Sequence, residues 1–239
     1  MRAIRFFKRS LFFLGLALVL FSISGAVLVY TYQNQLVSRF LLEANQKIDT
    51  PIHAEEITAS WWEQFPNVSI VLSDVIVDGS LPGSTDTLAV ADHIYCAFNA
   101  WDILQGSWTV EQIHFENGRL FLVQTELGDN NYTIVRKDSS RQRKSTGFNL
   151  DKITLEQVSI TYLDLLRQQE FKLQAPDLTA SLVAAEEVYH IDLDGTLISE
   201  SVKIKELQYV VDKELGINGN LHYQQDDKRW DIQAVSYTH

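Results

Sequence analysis

The side chains able to do chemistry are scattered along this chain. Its six histidines, His53, His93, His114, His190, His222 and His239, never fall within four residues of one another, so no compact metal motif or zinc-protease helix is present. His114 sits between Ile113 and Phe115 in strand-like sequence, and an exposed imidazole is its plain reading. Asp192, Asp194 and Gly195 resemble part of a calcium loop but lack the further oxygen ligands and the closing Glu, so a turn is expected there. There is no nucleophile elbow, phosphate-binding loop or dinucleotide fingerprint. Paired carboxylates drawn from distant strands are the one enzymatic arrangement that spacing leaves open. Asn67-Val-Ser and Asn131-Tyr-Thr match the glycosylation acceptor pattern. No catalytic residue, metal or cofactor is assigned.

Cys96 is the only cysteine, which excludes an intramolecular disulfide. At even spacing with Leu88, Val90, Asp92, Ile94 and Phe98 it reads as a small buried residue rather than a nucleophile. A formal charge of −11 over 239 residues, with Arg2, Arg5, Lys8 and Arg9 crowded at the start, leaves the remainder strongly acidic. Such a body is not built to neutralise phosphates, so no nucleic-acid partner is expected.

The elements that must position any site begin with Leu11 to Tyr30, twenty residues without an acid, base, Asn, Gln, His or Pro. At about 1.5 Å per residue this length matches a bilayer core of roughly 30 Å. The basic residues before it predict a cytoplasmic N-terminus and an exported remainder. A cleaved signal peptide, ending at Ser22-Ile23-Ser24 or Ser24-Gly25-Ala26, and a buried helix are the alternatives. Gln33 to Ile48 carries Leu36, Val37, Phe40, Leu41, Ala44 and Ile48 at helical intervals, and Pro51 ends it near Asp49. Trp61, Trp62 and Phe65 then offer either interfacial anchors or core packing.

From Ile52 onward the period changes to two and the sequence predicts some sixteen short strands, with Ala100 to Leu104 as one helical turn. Asp78-Gly79, Asn117-Gly118, Asp194-Gly195 and Asn218-Gly219 mark turns or bulges. One spacing recurs, with apolar residues or Gly at relative positions 0, 2, 5 and 7. It occurs at Ile70, Leu72, Val75 and Val77; at Ile113, Phe115, Gly118 and Leu120; at Ile153, Leu155, Val158 and Ile160; and at Val202, Ile204, Leu207 and Tyr209. The odd step demands a bulge or tight turn inside each unit. The units start about 40 to 50 residues apart, in the range of repeating β architectures.

The predicted organisation is a basic tail (1–10), a transmembrane helix (11–32), an amphipathic helix (33–50), a first β region (51–135), a basic linker containing Arg136, Lys137, Arg141, Arg143 and Lys144 (136–147), and a continuing β-repeat region (148–239), open to being cut short. The fold class expected is mainly β with N-terminal helices: one transmembrane helix, an amphipathic helix, and an elongated, curled antiparallel sheet forming a groove.

Taken as an ordered set, the anchor, the helix segment Leu42 to Lys47, the run Phe65-Pro66-Asn67-Val68-Ser69-Ile70-Val71-Leu72-Ser73-Asp74-Val75-Ile76-Val77, the segment with Leu88, Val90 and Asp92 to Ile94, the segment Trp101-Asp102-Ile103-Leu104-Gln105-Gly106, and Val110 to Leu120 followed by Asn131-Tyr132 resemble the beginning of an AsmA-family protein, in the broader grouping with TamB-like and chorein-domain lipid-transfer proteins. The likeness covers Arg5 to about Ile160, and this chain is shorter than the family's usual length. The resemblance implies an inner-membrane protein with a periplasmic β groove, serving phospholipid transport and outer-membrane biogenesis without catalysis. Its groove-lining residues would be Ile70, Leu72, Leu88, Val90, Ile94, Phe98, Ile113, Phe115, Leu120, Leu122, Ile153, Leu155, Ile191 and Leu193, with Trp61, Trp62 and Phe65 at the interface. Expected partners are membrane phospholipids and an envelope protein. The second reading is an anchored assembly or scaffold protein that binds partners by strand addition at a sheet edge.

Overall fold

The structure is a computed structural model and describes residues 2–60, 67–81, 83, 86–105, 109–134, 151–185, 188–210, 212–224 and 229–237. Trp61, Trp62, Phe65 and the basic linker lie outside the described residues. Helix α1 (Arg2–Lys47) is followed by β1 (Ile52–His53), β2 (Glu56–Ser60), β3 (Val68–Asp78), β4 (Thr87–Phe98), the short α2 (Ala100–Leu104), β5 (Val110–Gln124), β6 (Lys152–Asp164), β7 (Gln169–Ala185), β8 (Val188–Ile204), β9 (Leu207–Val210), β10 (Lys213–Gln224) and β11 (Arg229–Tyr237). The result is a mixed α/β fold built on one eleven-stranded sheet in the order β1-β3-β4-β5-β6-β7-β8-β10-β11, with β2 also on β3 and β9 also on β8.

Four expectations are corrected. The segments 11–32 and 33–50 are not two helices: α1 runs unbroken for 46 residues and stops where Pro51 forbids its continuation. Among the described residues, no helix is long and apolar enough to cross a membrane. That finding overturns the transmembrane anchor, the inner-membrane location and the lipid-transport function that hung on it. Part of the run expected in the bilayer is used on the β body, where Val29 is buried against Val68, with Leu36, Ala59 and Ile103 around them. Nor is the sheet a curled groove: its path is open from β1 to β11, and no pairing joins the two ends among the described residues. Finally, it is not wholly antiparallel. Strands β5 and β6 run parallel, which requires the long crossover connection between Gln124 and Lys152.

Many predicted strands merge. Asn117-Gly118 bends β5 without ending it, and Asp194-Gly195 and Asn218-Gly219 lie within β8 and β10. The predicted strand at Tyr132 is irregular chain through residue 134. The spacing of the first three repeat units becomes a lateral alignment. Leu72, Ile94, Phe115, Leu155 and Leu178 face one another across β3 to β7, and Val75, Ala91, Gly118, Val158 and Ala175 form the next row. Between the rows the ladder skips Asp74, Asp92, Asn117, Gln157 and Pro176. Asp74, Asn117 and Gln157 adopt φ of 50°, 50° and 54°, the left-handed geometry that absorbs an extra residue in a strand. Pro176, which lacks a backbone N–H, falls where no ladder bond is needed. The rows close up at Gly118, where a Cβ would lie 2.6 Å from the Val90 carbonyl oxygen. The fourth unit is a hairpin turn between β8 and β9.

The core sits where α1 lies on the first strands. Phe40 stands edge-on to Phe98, with ring centroids 6.1 Å apart, and Leu36, Val37 and Ala44 pack beside it over Ile70, Leu72, Val75, Ile94 and Cys96. Beyond β5 a smaller cluster of Leu155, Val158, Ala175 and Leu178 continues the same face.

Candidate functional site

Of the proposed groove residues, Ile70, Leu72, Leu88, Ile94 and Phe98 are buried in the main core, with Ile113, Phe115, Leu120 and Leu122 packed against it. Leu155 and Ile153 belong to the second cluster, and Ile191 and Leu193 are half-buried in β8. Val90 does not share their face. It opposes Ile76 and Arg119, and its neighbours Ala89 and Ala91 point the other way into the core. Cys96 opposes Ile70 and Ile113, and burial pushes its thiol pKa up to about 12, so it is no nucleophile at neutral pH.

The opposite face of β4 to β6 carries a polar network. The Tyr95 hydroxyl donates to Glu116 Oε2 at 2.6 Å, its ring meets His114 edge-on at 5.3 Å, and His114 Nε2 lies 3.4 Å from Glu156 Oε2. The His114 side chain is only 18% exposed, because Tyr95 on the neighbouring strand covers the imidazole that sequence alone left in solvent. Among the described residues, no group of three or more His, Cys, Asp or Glu side chains could hold a metal ion. Asp192 and Asp194 lie within a strand rather than a turn, and Asp194 accepts a hydrogen bond from Asn218 Nδ2 at 2.8 Å.

A more constructed surface lies at the end of the sheet where β5, β6 and β8 finish. Three turns adjoin there: 125–130 after β5, 165–168 between β6 and β7, and 205–206 between β8 and β9. The Leu165 N–H donates to the Gln124 carbonyl at 2.9 Å and the Lys205 N–H to the Gln168 carbonyl at 2.6 Å, stitching the turns side by side.

Buried polar groups hold two of these turns rigid. Asn131 is wholly buried; its Oδ1 accepts from the Val123 N–H and its Nδ2 donates to the Phe121 carbonyl, both at 2.8 Å. Burial also removes Asn131 as a glycan acceptor. Asn130 Oδ1 accepts from the N–H of Thr133 at 2.9 Å and from its hydroxyl at 2.7 Å. In the next turn Asp164, with its side chain 0% exposed, accepts from the Arg167 N–H at 2.8 Å and from Arg167 Nη1 at 2.9 Å. Desolvation alone would raise the Asp164 pKa, but these bonds, the guanidinium charge and the Tyr162 hydroxyl outweigh it and hold the carboxyl below its usual range. Burial, with Tyr132 and Asp164 beside it, pushes the Tyr162 hydroxyl up.

The first two turns display apolar side chains, and β9 adds more directly after the third. Leu127 is 91% exposed, Leu166 53% and Leu207 62%, with Leu165 and Tyr209 also open to solvent. Buried polar side chains are here used to present exposed leucines, the reverse of the usual division. Sequence reading missed this surface. Its trace is the pair Leu165-Leu166 between Asp164 and Arg167, together with Asn130-Asn131.

The chain is therefore a mixed α/β protein with an open, mostly antiparallel sheet and a structured apolar end. No family model, curated protein or solved structure matches it. The AsmA resemblance accordingly rests on the quoted residues alone.

Proposed function

We propose that this chain is a non-catalytic binding scaffold that holds a protein partner against the three-turn end of its sheet. The observation that carries this reading is the exposure of Leu127 and Leu166 on adjoining turns fixed by Asn131 and Asp164, with Leu207 exposed at the start of β9 directly after the third turn. A rigid apolar display loses little conformational entropy on binding, so more of the buried area is converted into affinity. Central apolar anchors inside a polar rim are also the usual anatomy of a protein interface. The rim here mixes signs, with Glu126, Asp129 and Glu206 among Arg167 and Lys205, which suits another protein surface better than a uniformly charged polymer.

The test is photocrosslinking of the full chain in its native cells, with a photoreactive residue at position 127, 166 or 192. A discrete protein adduct is expected from 127 and 166 and none from 192, which lies in mid-strand on β8. The adduct from 127 should disappear when Leu166→Asp is added. No adduct at either turn, or equal labelling from all three positions, would sink the reading.

A further inference from the structure

Resting on that reading, we infer that the partner segment taken at this end is apolar and carries a carboxylate, which Arg167 recognises. Arg167 follows directly on Leu165 and Leu166, and its side chain is 62% exposed. A guanidinium has five N–H donors in a fixed fork. Asp164 takes Nη1, which orients the group and leaves other donors directed elsewhere. Asp164 itself is sealed beneath the turn, so no ligand can reach its carboxylate.

The neighbouring charges place the contact. Lys172 and Lys203 both bind Glu170, at 2.9 and 3.1 Å, and are occupied within the sheet. Lys205, exposed at the tip of the adjoining turn and tied through its N–H to Gln168, is a second cation on the turn next to that of Arg167. Glu126 and Asp129 belong to the turn on the far side of β6, and Glu206 is the acidic neighbour of Lys205. A segment with leucine-like side chains and one Asp, Glu or terminal carboxylate fits this layout: its apolar residues meet Leu165, Leu166 and Leu207, and its carboxylate faces the Arg167 fork.

The experiment is selection of random twelve-residue peptides on the purified full chain, followed by titration of the best binder and of the same peptide with each acid changed to its amide. Selected peptides should be rich in Leu, Ile or Phe and contain Asp or Glu. Arg167→Gln should weaken the acidic peptide at least tenfold and its amide form less than twofold, while Arg167→Lys should fall between. Retained hydrogen-exchange protection of the Arg167 N–H, which bonds Asp164 independently of the guanidinium, would show that the turn survives. Apolar peptides without acidic preference, or an acidic preference that Arg167→Gln leaves unchanged, would overturn this inference and leave the scaffold reading standing. Failure to select any peptide whose binding is lost in Leu166→Asp would overturn both.

Discussion

The part of the sheet beneath α1 and the part beyond β5 are written in one strand pattern but stabilised differently. Under the helix, Ile70, Val75, Ala91, Ala97 and Phe98 are almost wholly removed from solvent, and Phe40 closes over them. Beyond β5 the corresponding rows bury only Leu155, Val158, Ala175 and Leu178, and no described helix covers them. The difference teaches that stability and display are separated along the sheet. The first strands supply a conventional core, and the later strands extend from it to hold three turns in place.

The largest expected effect tests that separation directly. Phe98→Ala removes the ring that meets Phe40 and should cost about 3 to 5 kcal/mol, enough to unfold many domains. Leu178→Ala, in the smaller cluster, should cost about 2 to 3 kcal/mol, near the lower end for a buried leucine. Urea unfolding of the two variants would measure both, and equal losses would break the distinction.

A subtler effect concerns the display end. Because the folded Asp164 pKa lies below its unfolded value, its contribution is complete above the ordinary Asp pKa of about 3.9 and is lost as pH falls through the lower folded value. Protection of the Arg167 N–H against hydrogen exchange, taken relative to the intrinsic rate at each pH, should therefore fall in acid below about pH 4, before β3 and β4 amides lose protection. Simultaneous loss in both regions would argue against a locally held turn. The smallest effect belongs to the line of skipped residues. Gln157→Gly relieves a left-handed non-glycine residue and should change stability by no more than about 1 kcal/mol, in the stabilising direction. A thermal shift upward of a degree or two would sharpen the comparison, and a clear loss would show that the Gln157 side chain has its own task.

How much could be read beforehand depends on the kind of signal each region carries. Thr87 to Phe98 reads as one strand and is a strand at those limits, although its inward phase changes at Asp92, and Pro51 marks the end of α1 because its ring cannot accept the preceding geometry. The step at Asn117 was legible as a change of phase but not as a bend within one strand, since a bulge and a turn interrupt alternation alike. Nothing in the junction at Tyr32-Gln33 says whether two helices meet or one continues. The parallel pairing of β5 with β6 depends on where a long connection returns, which local pattern does not encode. The turn end was missed because Leu165 and Leu166 resemble core residues until their neighbours in space are known.

The aligned row of skipped residues also bears on how the chain finds one pairing rather than another. A strand displaced by two positions keeps its oily side facing inward, so alternation alone gives little penalty against such an error. In this sheet a displaced strand would set its extra residue against an uninterrupted neighbour and forfeit hydrogen bonds on either side. Asp74, Asp92, Asn117, Gln157 and Pro176 thus act together as an indexing mark, fixing how far each strand may slide before it locks.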